Sequence, residues 1–125
     1  MVPVIETVEI IMKFHFDCVF YYVTDLKRAV TFYSDILSLK LTSQDVVARF
    51  DIDGVLFELV PTADKIKLQG GGNARLCLKV DNIHQALDEL QKKGIHTSHV
   101  QDVDNGMLAS FKDPDGNEIY LWQYR

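Results

Sequence analysis

The sequence predicts an α+β fold of two βαβββ modules, whose strands form a cup-shaped mixed sheet with the helices outside. Three observations carry that prediction. The frame Asp113-Pro114-Asp115-Gly116-Asn117-Glu118-Ile119-Tyr120-Leu121 repeats Asp51-Ile52-Asp53-Gly54-Val55-Leu56-Phe57-Glu58-Leu59, each an Asp-x-Asp-Gly turn that leads into an apolar strand. Further upstream, Val23-Thr24-Asp25-Leu26 is matched by Val80-Asp81-Asn82-Ile83, where a strand ends and a helix begins. Between the copies stands Gly70-Gly71-Gly72, a flexible linker by composition. No Lys-Ser/Thr pair opening a helix follows that triplet, so it does not read as a phosphate cradle.

The elements follow in order. Cys18 to Val23 is a β-branched and aromatic run and reads as a strand. A helix over Asp25 to Leu37 follows, capped by Thr24 or Asp25, with Leu26, Ala29, Val30, Tyr33 and Leu37 on one stripe. Leu39 to Val47 and Ala48 to Asp51 are extended, and after the Asp53-Gly54 turn comes the strand Val55 to Val60. The second copy gives a strand at Arg75 to Val80 and a helix from Asn82 to Lys93, stopped by Gly94. Strands are then expected at Ile95 to Val100, Met107 to Lys112 and Asn117 to Tyr124. The expected division is an N-terminal extension (1–16), a first module (17–62), a linker (63–73) and a second module (74–125), together one domain.

Strand parity separates the faces. Val19, Tyr21, Val23, Leu76, Leu78 and Val80 suit the helix side, together with Phe57, Leu59, Ile119 and Leu121. The opposite register, Cys18, Phe20, Tyr22, Glu58, Arg75, Cys77, Lys79, Tyr120 and Trp122, mixes aromatic and charged side chains and suits a cleft wall.

Composition bounds the partners. The chain has 125 residues and a formal net charge of −5, which argues against a nucleic-acid surface. No apolar run approaches the ~18 residues of a membrane span, and no basic n-region marks a secretory signal. Two cysteines are too few for a disulfide framework, and the expected address is the cytoplasm. His15, His84, His96 and His99 are scattered, and the Asp113-x-Asp115-x-Asn117 spacing lacks the glycine and glutamate placement of a calcium loop. These carboxylates read as turn formers.

Val-x-Asp-Leu with Ala-Val-x-Phe-Tyr (Val23 to Tyr33), and Asp-Pro-Asp-Gly-Asn at Asp113 to Asn117, resemble the vicinal oxygen chelate superfamily. That group includes glyoxalase I, bleomycin and fosfomycin resistance proteins and extradiol dioxygenases. The resemblance implies a metal held by four strand positions, which here are Cys18, Glu58, Arg75 and Tyr120. Arg75 has no lone pair to offer, and Cys18 with Glu58 leaves two ligands where a catalytic zinc normally has three. No metal or other cofactor is therefore expected.

The resemblance implies, as function, a metal-free cleft that binds a small aromatic or anionic molecule. Phe20, Tyr22, Tyr120 and Trp122 would stack on it, with Cys18, Glu58, Arg75 and Lys79 beside them. The alternative is a lyase, isomerase or dioxygenase that uses an atypical metal set or acid–base chemistry from Glu58 and Tyr120. Cys18 reads either as a small buried hydrophobe or as a thiol activated by Arg75. Glu58 and Arg75 are expected to form an ion pair that Tyr120 joins, and the chain is expected to be a homodimer, since members of this length pair modules within or between chains.

Overall fold

A computed structural model describes residues 15–68 and 74–125. The N-terminal extension up to residue 14 and the Gly70-Gly71-Gly72 linker lie outside the described residues. Strand β1 (Cys18–Val23) leads into α1 (Leu26–Thr31), whose cap Asp25 accepts the backbone N–H of Arg28 at 3.1 Å. The helix then widens into a π-helical turn over Phe32–Ile36, closed by Leu37 N–H to Phe32 O at 3.1 Å. Strands β2 (Lys40–Gln44), β3 (Ala48–Ile52) and β4 (Val55–Pro61) complete the first module.

The second module repeats the order with β5 (Leu76–Lys79), α2 (Ile83–Lys92), β6 (Gln101–Val103), β7 (Gly106–Lys112) and β8 (Glu118–Tyr124). Asn82 caps α2 by accepting Gln85 N–H at 3.0 Å. Gly94, at φ 83°, ends it in the left-handed conformation that a glycine adopts without strain. The two four-stranded sheets have matching orders, β1-β4-β3-β2 and β5-β8-β7-β6. In each, the first and last strands run parallel and the rest antiparallel, so both sheets are mixed.

One element differs from expectation. Ile95 to Val100 is not a strand; it touches the ladder only at the Thr97–Phe111 bridge, and β6 begins at Gln101. The cause is Ser98, whose N–H donates to Ser110 O and whose Oγ accepts Ser110 N–H, both at 2.8 Å. A side-chain oxygen there replaces the carbonyl that a regular ladder would use.

The helix-covered faces of both sheets contribute to one core. Val23, Tyr33, Phe50, Phe57 and Leu59 are fully buried from the first module, as are Ile83 and Ile119 from the second. Aromatic packing crosses the seam, with Phe32 6.4 Å from Phe111 between ring centroids. Polar contacts cross it as well. The Tyr21 hydroxyl donates to Glu118 O at 2.9 Å and accepts Leu76 N–H at 2.5 Å. The second Asp-x-Asp-Gly turn grips the first module directly. Asp113 accepts the Tyr33 hydroxyl at 2.8 Å, Asn117 Nδ2 donates to Tyr22 O at 3.0 Å, and Asp115 Oδ1 accepts the Thr24 hydroxyl at 2.6 Å. Leu76 and Leu78 share a cavity with Val19, Val55 and Phe57, so β5 docks beneath the helix-covered side of the first sheet. Among the described residues no helix is long and apolar enough to cross a membrane.

Candidate functional site

Period-two alternation leaves one open face on each sheet. On the first, β1 and β4 run side by side with Cys18 opposite Leu56, Phe20 opposite Glu58 and Tyr22 opposite Val60. Phe20 is 45% exposed and meets Tyr22 edge to face, centroids 5.3 Å apart. Lys67 Nζ lies 5.3 Å from the centre of the Tyr22 ring, in cation–π range. On the second sheet Cys77 stands opposite Tyr120 and Lys79 opposite Trp122, with Ser110 and Leu108 on their other side. Trp122 packs edge to face on Tyr124 at 5.5 Å.

The eight expected site residues therefore fall into two groups of four. Cys18, Phe20, Tyr22 and Glu58 share the first open face, and Arg75, Lys79, Tyr120 and Trp122 belong to the second sheet. The expected Glu58–Arg75 ion pair does not form. Arg75 Nε pairs with Glu118 at 3.4 Å instead, because β5 and β8 are parallel neighbours with Leu76 opposite Ile119. Both partners are about a third exposed, and the guanidinium also donates to Ala74 O at 2.9 Å.

Glu58 lies instead with Cys18 and with Asp17, a residue that parity reasoning passed over because it precedes the strand. Their ligand atoms sit within 4.8 Å of one another. Burial, followed by the Glu58 and Asp17 carboxylates, pushes the Cys18 thiol above its ordinary range. This is the opposite of activation by Arg75. Burial also raises the thiol of Cys77. Gly106 is a second residue that sequence reasoning missed. It is buried, and a Cβ there would meet the Trp122 ring at 2.5 Å and collide with Gln123 O, so only glycine lets the indole lie across β7. The Asp104-Asn105-Gly106 turn signal was present in the sequence, without any hint of its neighbour.

The metal implied by the sequence resemblance does not fit these four positions. Arg75 lies on the other sheet with a cationic, donor-only head held by Glu118, and Tyr120 belongs to that sheet too, across from Cys77. What converges among the described residues is one sulfur and two carboxylates, all from a single module.

A duplicated βαβββ unit with mixed sheets and aromatic open faces defines a class, and the chain belongs to it. Residues 15–121 match the family model for the Glyoxalase/Bleomycin resistance protein/Dioxygenase superfamily, and the protein is a member of that superfamily. Solved structures agree in fold. An antibiotic binding protein, TnmS3 from Streptomyces sp. CB03234, is 24% identical with a TM-score of 0.76, covering 90% of this chain and 98% of its own. Lactoylglutathione lyase from Agrobacterium tumefaciens is 16% identical with a TM-score of 0.70, covering 87% and 92%. The fosfomycin resistance protein FosX from Mesorhizobium loti is 15% identical with a TM-score of 0.71, covering 91% and 95%. No curated protein matches the sequence.

Proposed function

We propose that the chain is a small-molecule binding protein of this superfamily, taking a planar aromatic or anionic compound in a metal-free cleft. The observation that carries the reading is the pair of aromatic walls. Phe20 and Tyr22 on one sheet, and Tyr120 and Trp122 on the other, are left only partly covered. Half-exposed rings flanked by Arg75, Lys79 and Lys67 offer stacking surface beside cationic groups. The antibiotic-binding neighbour shares the fold, and its use of that scaffold supports this reading.

The cleft is proposed to need a second copy. The helix-covered sides of both sheets share one core, which leaves the open faces turned away from it. A homodimer that sets the first sheet of one copy against the second sheet of the other would bring the two groups of four together. Two free thiols among the described residues fit a reducing compartment, the cytoplasm.

The Asp17–Cys18–Glu58 cluster favours a second reading, that of an enzyme with an atypical cation site. The two readings separate in one set of measurements. Trp122 is the only tryptophan, so its fluorescence reports binding at the cleft. Saturable quenching by planar aromatic acids, an assembly of twice 14.3 kDa by light scattering and no stoichiometric metal are the expected results. A stoichiometric divalent metal that is lost on Glu58→Gln would favour the enzyme reading and reject the metal-free cleft.

A further inference from the structure

A concavity runs along the seam where β5 and α2 meet the first module, and residues of both registers of β5, from Arg75 to Lys79, border it. It consists of two adjoining hollows of about 360 and 460 Å³ that share Ile52, Asp53, Leu78 and Lys79 in their walls. Leu37 and Leu39 come to the smaller hollow from the first module, and Leu78, Val80 and Leu90 come from the second. Most of these side chains are only half-buried, so apolar surface from both modules remains available there. Its size falls in the range of small-molecule sites, which favour junctions between folded units.

Four charges line the smaller hollow, and two of them are engaged. Glu89 pairs with Lys92 at 3.6 Å, and Lys93 Nζ donates to Ile36 O at 3.0 Å. The other two are Asp53 and Lys79. They come from different modules, line both hollows, and make neither an ion pair nor a side-chain hydrogen bond among the described residues. Asp53 is fixed in the turn at φ 52°, a left-handed conformation, directly before Gly54 at φ 85°. A carboxylate and an ammonium thus flank one apolar slot without neutralising each other.

We propose that this seam binds a small apolar zwitterion, an α-amino acid with an aliphatic or aromatic side chain. Its ammonium meets Asp53, its carboxylate meets Lys79, and its side chain enters the hollow between Leu37, Leu39, Leu78 and Val80. Both side chains are exposed, so a ligand with one charge leaves the other to water, whereas a zwitterion makes a charge-assisted contact at each end. A ligand held by both modules also stabilises their docking by mass action. The site shares Lys79 with the cleft proposed above, and Arg75 borders its larger hollow, whereas Asp53, Leu37 and Leu39 belong to the seam alone, so a change at Asp53 tests the seam without touching the cleft.

Calorimetry and thermal melts of the full chain with L-leucine and L-phenylalanine test it, with 4-methylpentanoate and 3-methylbutylamine as analogues that each lack one charge. The expected result is saturable heat and a rising melting temperature with the amino acids, and about tenfold weaker binding of both analogues. Asp53→Asn, which keeps a residue tolerant of the turn conformation, should erase the advantage of leucine over 4-methylpentanoate while the Trp122 titration is unchanged. No saturable binding at millimolar amino acid overturns the proposal. So does equal binding of the analogues, or an Asp53→Asn protein that binds leucine as the wild type does.

Discussion

Asp113 is the residue on which most of the second turn depends. It is 5% exposed, and its Oδ1 accepts the backbone N–H groups of Asp115 at 2.9 Å and Asn117 at 2.8 Å. Its Oδ2 accepts from Asn117 Nδ2 and the Tyr33 hydroxyl, each at 2.8 Å. Tyr33→Phe deletes the one contact that reaches across the seam and leaves a buried acceptor short of a partner. We expect a loss of about 1–3 kcal/mol in urea melts. Burial raises the Asp113 carboxyl above its usual range despite these four donors. A raised carboxyl takes up its proton in the folded state before the unfolded chain does. Its contribution to stability is therefore full below about pH 3.9, the ordinary aspartate value, and is lost as pH climbs through the folded value. The stability difference between wild type and Asp113→Asn should accordingly shrink, in the wild type's disfavour, from acid towards neutral pH. A difference that is flat across that range would show that Asp113 titrates in the folded state as it does unfolded.

At the scale of elements, the sequence was legible wherever side-chain periodicity met a cap or a turn. Asp25, Asn82, Gly54, Gly94 and Gly116 mark boundaries that local chemistry dictates, and the parity of β1, β4, β5 and β8 sorted the buried from the open face. Legibility ended where a contact depends on register or on distant neighbours. Ile95 to Val100 has the composition of a strand, but a single Ser98 hydroxyl diverts its ladder. Glu118 takes Arg75 from Glu58 because of a parallel register that no residue on its own announces. Gly106 belongs to the same category, since its necessity comes from Trp122 two strands' worth of sequence away. Gly106→Ala should cost about 1–3 kcal/mol by overpacking. It should also shift the emission of Trp122, because the added methyl occupies the position of the ring. An unchanged spectrum would mean that the indole has room the structure does not show.

At the scale of the whole molecule, the two modules share one core and are also joined by the grip of one turn on one helix start. Asp115 has a side chain only 5% exposed, and its Oδ1 accepts Thr24 N–H at 3.1 Å, the Thr24 hydroxyl and Arg28 Nη2 at 3.3 Å. Arg28 is half-exposed, so its ion pair is screened and Arg28→Ala should change stability by less than about 1 kcal/mol. Asp115→Ala, by contrast, removes two Thr24 bonds as well as the ion pair, and at about 0.5–1.5 kcal/mol for each bond it should cost more than Arg28→Ala. Urea melts of the two variants side by side measure the contrast, and equal losses would put the grip in the charge rather than in the Thr24 bonds.

That grip also sets the two repeats apart. A unit that docks its turn onto the helix start of an identical unit has a free socket at one end and a free turn at the other, and such head-to-tail contacts grow into open chains. The reciprocal contact has lost its residues here. The first turn bends back on itself, Asp51 Oδ1 accepting Gly54 N–H at 2.9 Å, and carries Val55 where the second has Asn117. On the second helix, aligned on its cap, Thr24, Arg28 and Tyr33 are replaced by Asp81, Gln85 and Leu90. A carboxylate arriving there would meet another carboxylate and find no hydroxyl to receive it. Drift between the duplicated halves has thus given the contact a direction, with the second turn fitted to the first helix start and the first turn no longer matched to the second.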